Sequence, residues 1–585
     1  MAEALQPLKR GHGPAGASWT GAGAPLLRFA PALTLALFLA PIGAGLIGTW
    51  VPAFGYLPSL GGHSVTLTHW RELFAYPGLP GALKLTLISG FAATLLSFVL
   101  VMGFVAACHD RPLFQLCRRW LSPLLAVPHV AIAIGVLFLI APSGWIIRLL
   151  SPWLTGWELP PDIALVQDPN GFALTLGLIL KEAPFLLLMT LAALEHSQAN
   201  ERLAIARSLG YGPVSAWMKT VLPAIYRQIR LPVYAVLAFS LSVVDMALVL
   251  APLSPPPLAV LVFQWFNDPD LTMRFRAAAG AGLQFILVVA AIIAWRFLEI
   301  LVALLGRRRL IHGRRGGPGT ITRLSASLGM TLTYGLAGAA LLGMALWSFA
   351  QRWRYPDPLP TAWTLDNWQR QAHGLNWTGG TTLCVGLATA AVALVLVLAC
   401  LENEKRQRLH TTMGALWLLY IPLLVPQVAF LFGTQVLAAG LGLVGTTTAL
   451  VWSHLLFALP YVFLSLADPY RNLDERYERT ALCLGASANR VFWRIKLPML
   501  IQPILFAFAV GFAVSVTQYL PTVFAGGGRF ATLTTEAVSL AAGADRRVIG
   551  VYAILQAALP LVLFGLALAA PAYLFRHRRL MKNTR

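Results

Sequence analysis

Twelve apolar runs, each about the ~20 residues that carry a helix across a bilayer, constrain this chain more than anything else in it. They centre approximately on residues 29–50, 83–107, 119–142, 172–194, 231–251, 277–303, 326–349, 379–401, 412–433, 446–466, 502–522 and 547–572. Lipid offers no partner to an open backbone N–H or C=O, and the runs lack the strict alternation of barrel strands, so each is read as a helix. The expected fold class is therefore an all-α polytopic membrane protein of about 12 transmembrane helices. With 57% hydrophobic and 11% charged residues, a length of 585 does not imply a string of soluble domains. The first run is too long for a removed signal peptide and lacks a convincing small-residue cleavage site, so it is expected to stay as an anchor.

The net charge of +21 is placed, not spread. With both termini in the cytoplasm, the loops alternate in side and the whole basic excess falls on the cytoplasmic segments. That is the positive-inside asymmetry of insertion. It accounts for the charge without a polyanion, so membrane lipid is the expected surrounding partner and nucleic acid is not. Cys108, Cys117, Cys384, Cys400 and Cys483 fall in spans or on the cytoplasmic side. They show neither paired outer-face spacing nor ligand spacing, and are read as reduced and structural, with no metal site expected.

One cytoplasmic segment occurs twice, offset by 275 residues. The first copy runs from Asn200 to Pro223 and the second from Glu475 to Pro498. The offset places Ala206 on Ala481, Leu209 on Leu484, Gly210 on Gly485, Trp217 on Phe492, Lys219 on Arg494, Leu222 on Leu497 and Pro223 on Pro498. Each copy spells helix, break, helix, break: glycine closes the first helix, Pro213 or Ser487 restarts the chain, and Leu-Pro is expected to end the second helix. A bent helix pair at the membrane surface, with an apolar ridge and basic flanks, has the form of something a soluble partner grips.

The halves match elsewhere too. Pro123, Pro128 and His129 in the third run correspond to Pro422, Pro426 and Gln427 in the ninth, and a proline within a span removes a backbone bond and bends it. The outer stretch His69–Phe74 has its counterpart near Trp363–Gln371, and both are expected as short surface helices. A basic stretch with Arg307, Arg308, Arg309, Arg314, Arg315 and Pro318 joins six runs to six. The organisation is read as a flexible cytoplasmic tail 1–27, a first domain 28–303, a linker 304–325, a second domain 326–575 and a tail 576–585. Because each half has both ends inside, the repeat is parallel, about an axis along the membrane normal.

The repeated Gly-x(9)-Ile-x-Leu-Pro pattern resembles the cytoplasmic EAA loop of binding-protein-dependent ABC importer permeases. Gly485, Ile495, Leu497 and Pro498 carry it in full, and the first copy keeps Gly210, Leu222 and Pro223 with Thr220 at the isoleucine position. Ala204 and Arg479 stand where the family has glutamate. The chain is similar to fused permeases of ferric-iron and thiamine importers. Gln518–Thr522 and Gly528–Val538 resemble the YnjC-type permeases, described as thiamine transport components. The resemblance implies a bacterial inner-membrane permease without catalytic residues. It also implies two copies of a cytoplasmic ATPase on the two loops and an outer substrate-binding protein. ATP is then used by the partner, and no cofactor belongs to this chain. No Gly-x(4)-Gly-Lys-Ser/Thr phosphate loop occurs in the sequence. An ion-coupled secondary transporter, which can also have parallel six-helix halves, is the alternative.

Charges inside the bilayer cost at least ~2.5 kcal/mol each at its centre, so they face protein or water. Lys181, Glu182 and Asp245 are such residues. Either Lys181 pairs with an acid to hold helices together, or Glu182 or Asp245 lines the pathway and favours a cation. The second half offers Gln518 and Tyr519 at corresponding depth. Arg296 and Glu299 read as an interfacial pair. Arg529, in a glycine-rich outer segment ahead of a re-entrant helix from Thr532, is the candidate contact for the binding protein.

Overall fold

The computed structural model describes residues 27–574 except 110, 196, 312, 314, 318 and 410–412. The expected tails 1–27, apart from Leu27, and 576–585 lie outside the described residues, as do Arg314 and Pro318 of the linker. Among the described residues the regular structure is helical apart from two short hairpins, Tyr56–Leu57 with Gly62–His63 and Ala350–Arg352 with Ala362–Trp363. Each hairpin follows the first long helix of its half.

Among the described residues, nine helices are long and apolar enough to cross a bilayer, or ten if the bent pair Ala488–Met499 and Ile501–Val516 forms one span. The expected runs at 231–251 and 412–433 are not single helices. The former is divided between Leu222–Ser242 and Asp245–Leu250. The latter is divided among Met413–Leu424, a 3-10 turn at Gln427–Ala429, and Leu431–Gly440. Pro426 explains the second interruption, since a proline cannot donate to the preceding turn. The third run is interrupted likewise, with Pro112–Ala126 ending before Pro128 and His129–Ile140 beginning after it.

Two helices extend into the expected linker 304–325. Met273–Ile311 runs beyond residue 304 and Thr320–Phe349 begins before 325. Arginine is a good helix former whose stem can lie along apolar surface, so a basic run does not by itself end a helix. In the first half the surface helix Thr68–Phe74 is separate from Leu79–Cys108. In the second half the corresponding segment is the start of one helix of 41 residues, Asp366–Arg406. Pro77-Gly78 breaks the first copy, and no proline stands between Asp366 and Arg406.

The halves interlock through their first helices. Ala30–Ala53 belongs to the first half in sequence, yet Phe38 is buried among Leu396, Leu455 and Leu459 of the second. Trp452 Nε1 donates to Leu37 O at 2.9 Å, and Gly433 N–H donates to Thr49 Oγ1 at 3.0 Å. At this crossing a Cβ on Gly433 would lie 2.0 Å from the Gly45 carbonyl oxygen, so only glycine permits the backbones to approach so closely. Thr320–Phe349 packs reciprocally on the first half, where a Cβ on Gly135 would lie 2.6 Å from Ala340 Cβ.

Candidate functional site

The twice-repeated segment forms the same backbone twice. Ala199–Ser208 ends at Gly210, whose φ is +83°, and Glu475–Cys483 ends at Gly485, whose φ is +82°. In each copy two N–H groups turn back onto the helix end. Gly210 donates to Arg207 O and Tyr211 to Ala206 O; Gly485 donates to Leu482 O and Ala486 to Ala481 O. This pairing is the Schellman motif, and it needs the left-handed residue that glycine supplies. The chain restarts at Pro213–Ala216 and Ala488–Val491, the latter capped by the Ser487 side chain.

The expected ending at Leu-Pro is met in the second copy, where the helix stops at Met499, and not in the first, where it runs on to Ser242. Both copies pass through a five-residue π-turn, Trp217–Val221 and Phe492–Lys496, and continue into Leu222–Ser242 and Leu497–Met499. In the first copy the proline sits in the first turn after the π-turn, a position proline favours, and the helix continues through it. Only the second copy then breaks, at Leu500, with a bend of 76°.

The surfaces of the two copies differ in cover. Ile205 and Leu209 in the first, and Tyr477, Leu484 and Trp493 in the second, are exposed apolar side chains, whereas Trp217, Ala206 and Ala481 are buried. Phe492, Arg494, Ile495, Leu497 and Lys219 lie on the same segments. The linker lies against the first copy: Gly212 N–H donates to Arg315 O at 3.0 Å, and a Cβ on Gly212 would sit 2.2 Å from Gly317 O. Around Gly485 of the second copy the same construction meets nothing within 4 Å.

A buried ionic cluster, not foreseen in the sequence, holds the second copy in place. Lys496, 1% exposed, donates to both oxygens of Glu402 at 3.2 and 3.0 Å and lies 3.0 Å from Glu478. Glu402 also accepts from Arg406 Nε at 2.7 Å and from the Tyr470 hydroxyl. The cluster thus ties Glu475–Cys483 and the π-turn to the ends of Asp366–Arg406 and Thr447–Arg471. In the first copy the offset puts Leu203 and Val221 at the positions of Glu478 and Lys496, and both are buried among apolar side chains. The available signal was Glu402 beside the apolar run 379–401, at the end of a helix facing the repeat.

One helix of each half is broken at the same offset. Leu222–Ser242 gives way to Asp245–Leu250, and Ile501–Val516 to Leu520–Gly526. The breaks leave equivalent carbonyls, Leu241 O and Val516 O. Gln284 Nε2 donates to the first at 3.0 Å; the Thr534 hydroxyl donates to the second and itself accepts from Gln556 Nε2 at 2.7 Å. A backbone interruption inside a membrane needs such partners. His454 bridges both fragments in the second half, with Ser515 at 2.7 Å and Thr522 at 3.0 Å.

These breaks carry the candidate pathway residues. Asp245 opens one fragment, and its carboxylate accepts from Met246 N at 2.8 Å. Tyr519 stands at the matching break and within electrostatic reach of Asp245, while Glu182 stands in the same relation to Tyr461. An acid of the first half is thus within electrostatic reach of a phenol of the second at each of these places on the seam between the halves. Phe263 and Phe524, both buried, stand beside this seam, with Phe263 5.9 Å from the Tyr519 ring. Gln518 is buried, its Nε2 on Val514 O and its Oε1 without a protein partner. Lys181 turns from the acids to the broken third span, donating to Val127 O at 2.6 Å and Leu125 O at 3.4 Å. It caps carbonyls at the end of Pro112–Ala126, a role that neither sequence reading of Lys181 included.

Two short helices flank the seam. Leu533–Ala541 is capped by Thr532, as its sequence suggests, and Leu258–Phe266 is its first-half counterpart. Their leading N–H groups are received alike, Leu258 N by Thr86 Oγ1 and Leu533 N by Thr382 Oγ1, each at 2.9 Å. Arg529 is exposed before the second of these helices, with its Cδ against Gly445.

Residues 412–579 match the family of binding-protein-dependent transport system inner membrane components. The chain is similar to the inner membrane ABC transporter permease protein YnjC of Escherichia coli, at 34% identity over 86% of this chain and 90% of that protein. It is also similar to the molybdenum transport system permease protein ModB of Mycobacterium tuberculosis, at 34% identity over 26% of this chain and 58% of that one. A third relative is the putrescine transport system permease protein PotI of Escherichia coli, at 25% identity over 35% and 74%.

Proposed function

The chain belongs to the binding-protein-dependent transport system inner membrane components, the permeases of ABC importers, and on that premise we propose how its parts divide the work. Membership makes it a multi-pass plasma-membrane permease that works with an ATPase and a substrate-binding protein. The two helix–glycine–helix segments are the docking sites of two ATPase copies. Ile205, Leu209, Tyr477, Leu484 and Trp493 form the apolar contact, and Lys219 and Arg494 the basic flank. Both termini are cytoplasmic, ATP is bound by the partner, and this chain holds no cofactor. The observation that carries this reading is one Schellman-closed helix pair with a π-turn, built twice at a fixed offset. Purification of the chain from its native membrane in mild detergent, followed by mass spectrometry, is expected to recover a phosphate-loop ATPase. Failure to recover one even after cross-linking would leave ion-driven uptake as the better account.

Substrate passes along the seam between the halves. Two carboxylates within electrostatic reach of two phenols, with Phe263 and Phe524 beside one of the pairs, suit a cation better than an oxyanion. Thiamine is the first choice and ferric iron the second, following the resemblance to YnjC-type and ferric-iron permeases. Arg529, with the glycine-rich loop around it, receives the binding protein. Asp245→Asn is expected to lower cation uptake by about tenfold, roughly 1.4 kcal/mol, with ATPase recovery unchanged. Uptake at the wild-type rate would remove Asp245 from the pathway.

A further inference from the structure

The two repeated cytoplasmic segments share a backbone but not a surface, and the linker between the halves bears on the difference. In the second copy the restarted helix Ala488–Val491 begins at Ser487, whose hydroxyl accepts from Arg490 N–H, and Arg490 itself is exposed. The offset puts Gly212 and Ser215 at those two places in the first copy. There the linker residues Arg315, Gly316 and Gly317 lie as a strap on the segment. Gly212 N–H donates to Arg315 O at 3.0 Å, and a Cβ on Gly212 would collide with Gly317 O. A Cβ on Gly316 would collide with Ser215 Oγ, so glycine at 212 and 316 is what admits the strap.

The strap is held through a carbonyl, and the Arg315 side chain is spent otherwise. Its guanidinium lies against the closing turn, with Nη1 3.4 Å from where a Cβ on Gly210 would stand, beside the exposed Leu209. Arg315 is exposed, and among the described residues no carboxylate pairs with it.

We propose that Arg315 supplies to the first segment the basic group that Arg490 supplies to the second, and that its partner is a carboxylate of the docked ATPase. The proposal rests on the reading of the two segments as ATPase docking sites. Two copies of one ATPase bring the same surface to both segments, so both segments need to offer it the same chemistry. The repeat alone does not: at one position of the restarted helix the first copy has Ser215 and the second Arg490. The strap brings the missing charge from outside the repeat. An exposed guanidinium beside an apolar ridge, here Ile205 and Leu209, fits an acidic side chain at the rim of an interface, where a charge pair fixes register and raises the association rate.

The test is titration of the full chain in lipid nanodiscs with the ATPase that co-purifies with it, read by native mass spectrometry as the number of bound copies. The wild type is expected to bind two. Arg315→Gln should weaken one of the two bindings about fivefold, near the upper end for an exposed ion pair, and make it less sensitive to salt. Arg490→Gln should weaken the other, and the double variant both. Exchanging the Arg315 side chain leaves the carbonyl that seats the strap. Gly212→Ser tests the strap itself: the new Cβ unseats it, while serine caps the restarted helix as Ser487 does. Binding should again weaken about fivefold, with no further loss on adding Arg315→Gln. Both bindings unchanged in Arg315→Gln would overturn the proposal and leave the docking reading standing. Additive losses in Gly212→Ser with Arg315→Gln would overturn it too, since Arg315 would then act without the strap. A wild-type chain that binds no ATPase would overturn the docking reading and this proposal together.

Discussion

Changing Gly210 and Gly485 together to valine is expected to abolish uptake and the recovery of an ATPase with the chain, while the protein still inserts. At both positions φ lies near +80°. An L-residue in the left-handed region costs about 1–2 kcal/mol, and a β-branched one is the least tolerant. Around Gly485 there is open space, so the effect there is conformational and not a clash. To relieve the strain the chain must surrender the two N–H bonds that close the preceding helix, and the angle between the two helices changes with them. Asparagine, which tolerates this region, should be milder than valine at either site. Single variants should fall between wild type and the double. Normal uptake by the double variant, measured in membranes matched for protein level, would show that the closed turn has no part in coupling.

Much of the architecture was legible because it rests on local rules. Span length, glycine closing a helix, and proline interrupting a span all act within a few residues. The repeat then showed where each applied twice. What the sequence hid depends on contacts between distant segments. The crossing of Ala30–Ala53 onto the other half turns on Gly45 meeting Gly433, and neither glycine announces its partner. The break between Ser242 and Asp245 contains no proline. It is stabilised by Gln284, 43 residues along the chain from the carbonyl it serves. Lys181 was visible as an intramembrane charge, but its role as a cap for Val127 depends on how two helices pack. The π-turns were hidden for a different reason: Leu-Pro is as good a beginning as an ending, and periodicity does not separate the two.

Lys496→Met is expected to destabilise the second docking segment by about 3–5 kcal/mol, the usual consequence of removing one partner from a buried ion pair. Lys496 is the only basic group in direct contact with both Glu402 and Glu478 among the described residues. Its removal leaves Glu402 with Arg406 and Tyr470, and leaves Glu478 facing only Lys405 at 3.9 Å. The melting temperature of the purified chain should fall, and ATP-driven uptake should fall with it. The first half shows a different solution at the same two positions, where Leu203 and Val221 pack among apolar neighbours. Replacing a buried pair with apolar groups of suitable volume is often neutral, whereas breaking it is not. The double variant Glu478→Leu with Lys496→Val should therefore recover much of the stability lost by Lys496→Met. Recovery of stability without recovery of uptake would mean that the charges serve coupling beyond anchoring the segment. A Lys496→Met protein that melts with the wild type would mean that the cluster does not hold the segment at all.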